Sequence, residues 1–413
     1  MARQGRRTRG DRPTAGGARG AACLLTALLA LGGCAAPGPA DPAPREIQGL
    51  LDRQARALLA RDEAAYTVGL DPSLAPAALR EFDHLAEVPL GSWNYRVTDV
   101  DRADGGRATV RAELRYQVRG YDPGPVTTER LLELTRRHGR WYVSADRPGE
   151  KTAVQQLWQQ GEVEAVRGRH SLVLGVGQPE ERLRAIAAAA DEAVPAVSAA
   201  WPSAWAGRVV VLVPSSLDAM GGLLGAPGAS YRGIAAVTTG EVRGGPDSPA
   251  DRVIVNPEAY GALGAFGRQI VLTHETTHVA TRAATSPATP VWLSEGFADW
   301  VAYRGTGRSA AQAAPELHRA VAAGDLPATL PDDRAFAFGA DGEALARAYE
   351  GGWLACALIA ERWGERRLTD FYRAVGAHPS REGAVEKALH DVLGTTPDAF
   401  TAAWRRHLSE RLA

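Results

Sequence analysis

The stretch VLTHETTHVA contains two histidines and a glutamate at a spacing that could bind a catalytic metal ion. If this segment is helical, His274 and His278 lie one turn apart on the same face. Glu275 then stands beside them, where its carboxylate could accept a proton from a metal-bound water. This geometry suits catalytic zinc. The two histidines also continue a row begun by Phe266 and Ile270, so a pair of core histidines on a buried helix is the alternative interpretation.

A catalytic zinc site needs a third protein ligand and one position left open for water. Glu295 stands seventeen residues beyond His278, in a predicted helix that contains VWLSEGFADW. Glu295 and Asp299 are four residues apart, so their carboxylates share one face of that helix. Asp299 is well spaced to accept a hydrogen bond from a ligand imidazole and fix its tautomer. Burying Glu275, Glu295 and Asp299 together without a cation would be costly, and this favours the metal site over core histidines.

H-E-x-x-H followed by a helix with E-x-x-x-D resembles the gluzincin zinc metallopeptidases, specifically the bacterial peptidase MA-like group. The second helix of that group typically reads W-L-x-E-G, and those positions are filled here by Trp292, Leu293, Glu295 and Gly296. The similarity extends weakly over roughly residues 165 to 413. Gly296, directly after the third ligand, has no side chain, and we expect it to allow close packing of the second helix against the first.

The resemblance implies a role for each residue of this set. It implies that zinc is the cofactor, that Glu275 is the general base and acid, and that Asp299 orients a ligand histidine. The zinc ligands that it implies are His274, His278 and Glu295.

A tyrosine farther along the chain is a candidate for stabilising the oxyanion of the transition state. LARAYEGGWLACALIAERWG resembles the downstream helix of the same group, in which a tyrosine precedes a glycine by about two residues. Tyr349 and Gly351 fill those places. By that resemblance Tyr349 would donate a hydrogen bond to charge that develops only in the transition state. A purely structural tyrosine is the alternative, and Tyr303 is a rival donor nearer to the ligands in sequence.

The amino terminus reads as a secretion signal. Its first twenty residues carry six arginines and one aspartate, and the apolar run AACLLTALLALGGC that follows is too short for a permanent membrane span. The run ends in Leu-Gly-Gly-Cys34, which resembles the bacterial lipobox and implies a diacylated Cys34. We therefore expect a signal peptide over residues 1–33 and a tether over residues 34–43. A plain signal peptide cleaved among the small residues after Cys34 is the alternative.

Composition indicates the compartment and limits the partners. The 413 residues carry a formal net charge of −1, so bulk charge gives no reason to expect a nucleic-acid partner. Lys151 and Lys387 are the only lysines, and this bias toward arginine, with abundant alanine and glycine, is typical of a GC-rich bacterium. After the signal only Cys356 remains, so the mature chain has no internal disulfide, and Cys356 is expected to be a buried small hydrophobe.

The predicted fold class is α+β in two domains. Residues 44–150 read as a long amphipathic helix over residues 44–67, then four alternating strand patterns separated by turn signals. That element order resembles the NTF2-like cone. Residues 151–413 read as a zincin-type domain with a small mixed sheet and a mainly helical second half. Within it we predict a helix over residues 151–168, and the strand RVIVNP as a candidate edge along which an extended peptide substrate could pair.

These predictions indicate an extracytoplasmic, lipid-anchored zinc metallopeptidase of a bacterial cell membrane. Its partners would be a peptide or protein substrate and, through the lipid, the membrane, with no nucleic acid; no pattern indicates an oligomeric state. The alternative is a binding or scaffolding lipoprotein with a catalytically silent peptidase-like half. The intact Glu275 favours the enzyme, because a structural metal site has no need of a carboxylate beside its first ligand.

Overall fold

The computed structural model describes residues 41–103, 105–149, 154–239, 251–337 and 341–413. The predicted signal peptide, Cys34 and all but the last residues of the predicted tether lie outside these ranges. The α+β prediction is confirmed: the described ranges contain fifteen α-helices, a four-stranded antiparallel sheet and a five-stranded mixed sheet. None of these helices is long and apolar enough to cross a membrane.

The elements of the amino-terminal part are α1 (Ala43–Ala60), α2 (Glu63–Thr67), α3 (Ala75–His84), β1 (Leu90–Ala103), β2 (Arg107–Val118), β3 (Val126–Arg137) and β4 (Arg140–Pro148). Next come α4 (Leu157–Gln160), β5 (Val163–Arg167), β6 (Ser171–Val176), α5 (Glu180–Ala200), β7 (Val209–Val213), α6 (Leu217–Leu224), β8 (Ala236–Thr239) and β9 (Arg252–Val255). The remaining helices are α7 (Pro257–Ala262), α8 (Ala265–Thr281), α9 (Val291–Tyr303), α10 (Ala310–Ala313), α11 (Pro315–Ala322), α12 (Gly342–Trp363), α13 (Glu365–Gly376), α14 (Ala384–Leu393) and α15 (Pro397–Leu412).

The amino-terminal sheet is an antiparallel meander in the order β1-β2-β3-β4, as its turn signals predict. The apolar stripe of α1, including Ile47 and Leu51, packs on this sheet against Val110 and Leu132. The helix predicted over residues 44–67 is broken, because Arg61 has a positive φ of 56° and Asp62 begins a new helix by capping α2. The amphipathic pattern does not reveal this break, because the apolar residues keep their helical spacing across it.

The second sheet has the order β5-β6-β7-β9-β8, with a parallel centre and an antiparallel strand at each edge. The helix predicted over residues 151–168 is wrong, because β5 occupies most of its second half and α4 is a single turn. The prediction that RVIVNP forms the edge strand is also wrong. All four residues of β9 are buried between β7 and β8, so β8 is the edge.

Helices α5 and α8 cover one face of the second sheet. Leu183 and Ile186 of α5 and Leu272 of α8 share a core with Val211 and Val213 of β7. The opposite face shares a core with the amino-terminal sheet, as described below. This arrangement places the histidine-bearing helix directly beneath the edge strand β8.

The helical half has its own core around α9 and α12, in which Phe297, Tyr372 and Trp404 are fully buried. Cys356 lies in this core with no exposed surface, which confirms its prediction as a small buried hydrophobe. Residues 43–413 together make one compact unit. The predicted domain boundary near residue 150 stays a prediction.

Candidate metal centre

The helix α8 carries the H-E-x-x-H string on a segment that is unusually rich in threonine. Thr273, Thr277 and Thr281 are buried, although β-branched polar residues are poor helix formers. Thr277 donates its hydroxyl to the carbonyl of Thr273 at 2.8 Å, and Thr281 donates to Thr277 at 2.9 Å. These internal bonds satisfy the hydroxyls of Thr277 and Thr281, so α8 can bury these threonines close to the histidines.

Three side chains converge at the junction of α8 and α9. Nε2 of His274 lies 3.0 Å from Nε2 of His278 and 3.2 Å from Oε2 of Glu295, and the remaining side of the triangle is 3.5 Å. The three ligand atoms come from half-buried residues and could hold one metal ion. The structure thus brings together the three residues that the sequence predicts as ligands.

Asp299 orients one of these ligands from behind. Its Oδ1 accepts a hydrogen bond from Nδ1 of His274 at 2.7 Å. A neutral His274 that donates through Nδ1 keeps the lone pair of Nε2 free, and that lone pair faces His278 and Glu295. This carboxylate–histidine pair is the arrangement that fixes the tautomer of metal-binding histidines in proteins.

The site concentrates opposite charges in a buried place. Burial alone would lower the pKa of His274, but Asp299 and Glu295 outweigh it and hold that pKa well above its ordinary value. Burial alone would raise the pKa of Glu295, but His278 and His274 hold it well below the ordinary range. The two carboxylates therefore favour a positive charge at this point, either a proton on His274 or, with His274 neutral, a metal cation.

Glu275 is not one of the three ligand residues and has a separate partner. Thr238 of the edge strand β8 donates its hydroxyl to Oε2 of Glu275 at 2.6 Å and lies 3.1 Å from the backbone oxygen of the same residue. Glu275 is buried, with 8% of its surface exposed. Thr238 is not identifiable from the sequence, because the pattern GIAAVTT indicates a strand without showing which helix residue its side chains contact.

The carboxylates of the site act more strongly on Tyr349 than on Tyr303. Burial raises the pKa of Tyr349 above its ordinary range, and the carboxylates of Glu295, Asp299 and Glu275 raise it further. Burial likewise raises the pKa of Tyr303 to about 12, but Asp299 is the one site carboxylate that contributes. The ring of Tyr303 packs instead against Phe266 and Trp353. Tyr349 is therefore the tyrosine whose phenol experiences the whole carboxylate cluster.

Gly296 permits close packing, but its neighbour is not the helix that was predicted. A Cβ atom on Gly296 would overlap the backbone of Gly352 in α12, and a Cβ on Gly352 would lie 2.6 Å from the carbonyl oxygen of Trp292. The close contact thus joins α9 to α12, and α8 is not involved. This contact holds Glu295 on one helix near Tyr349 on the other.

Comparisons with known proteins add little to this picture. No protein-family model matches the chain, and no curated protein matches it. A solved structure of Rv3472, a function-unknown protein from Mycobacterium tuberculosis, is 19% identical over 25% of this chain and 69% of that chain, with a TM-score of 0.22. That TM-score carries no argument about fold or function.

Proposed function

We propose that this chain is a zinc-dependent peptidase that hydrolyses peptide bonds. The single observation that carries the proposal is a buried carboxylate, Glu275, held beside a three-residue ligand set without belonging to it. A structural metal site does not need such a group, whereas hydrolysis of a peptide needs a base next to the metal.

Zinc fits the ligand set in both chemistry and spacing. Two imidazole nitrogens and one carboxylate oxygen are typical ligands of catalytic zinc. Ligand atoms about 2.0–2.1 Å from a tetrahedral zinc are about 3.3 Å apart, and the three distances of 3.0, 3.2 and 3.5 Å lie around that value. Bound zinc would supply a Lewis acid that polarises the substrate carbonyl and acidifies water.

The chain's own residues would perform the proton transfers. Glu275 accepts the proton of the attacking water and later delivers it to the nitrogen of the leaving amine. Tyr349 donates its phenolic hydrogen to the oxyanion of the tetrahedral transition state, and the raised pKa keeps that hydrogen in place near neutral pH. Asp299 holds His274 in the tautomer that leaves Nε2 free.

The edge strand β8 is suited to aligning an extended peptide. Its outer side faces no other strand of the described sheet, and α8 packs beside it. An edge offers unpaired backbone donors and acceptors to a substrate in strand conformation. Thr238 lies on this strand and contacts Glu275, so a peptide paired there would lie next to the base.

The test is a pair of measurements on purified protein. We expect about one zinc per chain by elemental analysis, and turnover of a quenched peptide substrate that a chelator abolishes. Glu275→Gln should keep the zinc and lower kcat by about two or more orders of magnitude, because the base is lost while the ligands stay. Glu295→Ala should lose the zinc itself. A Glu275→Gln variant with unchanged turnover would contradict the mechanism.

We further propose that Cys34 is acylated and retains the enzyme at the outer face of the cell membrane. The support is the lipobox-like sequence after a short apolar run. Cys34→Ala should leave the signal unprocessed or release the protein to the medium. Normal processing and membrane retention in that variant would refute the lipid anchor.

A further inference from the structure

A groove with a volume of about 850 Å³ runs along the outside of α1, between that helix and the β3–β4 hairpin. Three arginines line it: Arg53 and Arg56 on α1, and Arg140 at the start of β4. All three side chains are exposed, and none forms an ion pair with another residue of the described ranges. The groove is distant in sequence from every residue of the metal centre.

The two acidic residues of the groove do not neutralise these arginines. Glu46 is engaged by Arg136 and by the indole nitrogen of Trp141. Asp62 caps α2 by accepting the backbone N–H of Ala65. Three positive charges therefore face the groove without partners, and guanidinium groups bind phosphate oxygens in a bidentate fashion.

Apolar side chains stand beside these charges in water. Val68 lines the groove with 70% of its surface exposed, and Leu59 of α1, next to the lining residue Ala60, is 40% exposed. In the described ranges Phe266 is the one other large hydrophobic residue with this degree of exposure. Unpaired arginines with exposed aliphatic side chains are the composition of surfaces that lie on anionic membranes.

The position of the groove in the chain agrees with a membrane partner. Cys34 precedes Ala43 by nine residues, which span at most about 30 Å, and Arg53 lies about 15 Å along α1 from Ala43. The whole chain has a net charge of −1, but six arginines and one aspartate precede Cys34, so the remainder carries −6. A protein of that charge is repelled by an anionic membrane unless a local basic surface faces it.

We propose that this groove, defined by Arg53, Arg56, Arg140 and Val68, binds the anionic headgroups of membrane phospholipids and so sets the orientation of the anchored protein. The arginines bind the lipid phosphates, and Val68 enters the interfacial region. The proposal is independent of peptidase activity, and its partner follows from the predicted N-terminal anchor. A second copy of the chain is the competing occupant.

The test uses residues 35–413, which contain the entire compact unit but neither the apolar run nor the lipid. Sedimentation with vesicles of phosphatidylcholine alone should leave the protein in solution, whereas vesicles that also contain phosphatidylglycerol should pellet it. Binding should be lost at about 1 M salt, where the Debye length is about 3 Å. Arg53→Gln/Arg56→Gln/Arg140→Gln should weaken binding by at least about tenfold, because each arginine near the surface contributes about fivefold.

The matched control removes the same charge elsewhere: Arg366→Gln/Arg367→Gln/Arg373→Gln, three exposed arginines of α13 that have no ion pair in the described ranges. It should bind vesicles like the wild type, and all variants should keep the wild-type Tm. Val68→Ser should weaken binding without altering the charge. Three results would each overturn the proposal. The wild type does not pellet with anionic vesicles, or both triple variants lose binding equally, or the groove variant keeps vesicle binding but loses a dimer that the wild type forms.

Discussion

At the scale of single residues, the general base differs from the metal ligands in what holds it. His274 is constrained by Glu295 and by Asp299, all within two adjacent helices. Glu275 is held by Thr238, a residue of the sheet. The orientation of the Glu275 carboxylate therefore depends on the edge strand β8, whereas the orientation of the ligands does not.

This difference predicts a separable effect of Thr238→Val, which removes the hydroxyl at nearly constant shape. Zinc content and KM should change little, while kcat should fall by about tenfold, because a carboxylate without its hydrogen-bond partner is less well oriented. Thr238→Ser keeps the hydroxyl and should restore most of the activity. Equal activity in the valine and serine variants would show that the 2.6 Å hydrogen bond has no role in catalysis.

Tyr349 yields a second prediction at this scale. Tyr349→Phe should lower kcat by roughly ten- to a thousandfold with zinc content and KM nearly unchanged, because the lost hydrogen bond forms only in the transition state. Tyr303→Phe is the matched control and should stay within about twofold of the wild type. The reverse result would assign the donor role to Tyr303.

Local spacing predicts which residues share a helix face, and the family resemblance supplies the step that joins Glu295 to the two histidines. Residues four apart on one helix must share a face, so the spacing alone pairs His274 with His278, and Glu295 with Asp299. Thr238 could not be found in this way. Its contact with Glu275 depends on which strand is at the sheet edge, and strand order is not encoded in local periodicity.

At the scale of elements, the contact of α9 with α12 positions the third ligand. Gly296 and Gly352 allow the two backbones to approach, and no side chain separates them. The prediction that Gly296 packs against α8 is wrong, because a glycine indicates a close approach without indicating which helix approaches. The error over residues 151–168 has a related cause, since β5 is a short, partly exposed edge strand with a weak alternating pattern.

This contact predicts that Gly296→Ala is damaging although alanine is the better helix former. The new methyl group would overlap the backbone of Gly352, so α9 and α12 must separate. We expect a loss of about 1–3 kcal/mol in the free energy of unfolding by urea titration, together with weaker zinc binding. Gly261→Ala, in α7, meets no atom within 4 Å and should be neutral or slightly stabilising. Equal stabilities of the two variants would disprove the packing role.

A buried carboxylate at the joint of α11 and α12 predicts a pH effect. Glu350 accepts the backbone N–H groups of Glu316 and Leu317 at 3.2 and 2.5 Å, and burial raises its pKa from 4.5 to about 7. Between pH 4.5 and 7 the folded state holds the proton more tightly than the unfolded chain. Stability contributed by this group is therefore present below about pH 4.5 and decreases as the pH rises to 7.

The measurement is urea denaturation at several pH values for the wild type and for Glu350→Gln. The glutamine cannot titrate, so the decrease in the free energy of unfolding between pH 5 and 8 should be smaller in the variant. An unchanged slope would mean that Glu350 titrates at its ordinary pKa in the folded protein.

At the scale of the whole molecule, the two sheets share a hydrophobic core in addition to the core that each forms with its own helices. Leu114 and Tyr116 of the amino-terminal sheet pack with Leu172 and Ile254 of the second sheet in one cluster. We therefore expect a single cooperative unfolding transition, with fluorescence and circular dichroism giving coincident curves, and not two transitions with a boundary near residue 150.

A buried ion pair crosses the same junction and yields the last prediction. Arg252 of β9 donates two hydrogen bonds of 2.7 Å to Asp122, which follows β2 and also accepts the backbone N–H of Val118. Arg252→Met leaves a buried carboxylate without its cation and should cost about 3–5 kcal/mol in the free energy of unfolding. The double variant Arg252→Met/Asp122→Asn removes both charges and keeps an acceptor for Val118, so it should be more stable than Arg252→Met alone. Additive losses would mean that the pair is not coupled across the junction. Recovery in the double variant would show that the main cost comes from leaving one charge buried without its partner. The pair would then serve to fix the position of one sheet relative to the other.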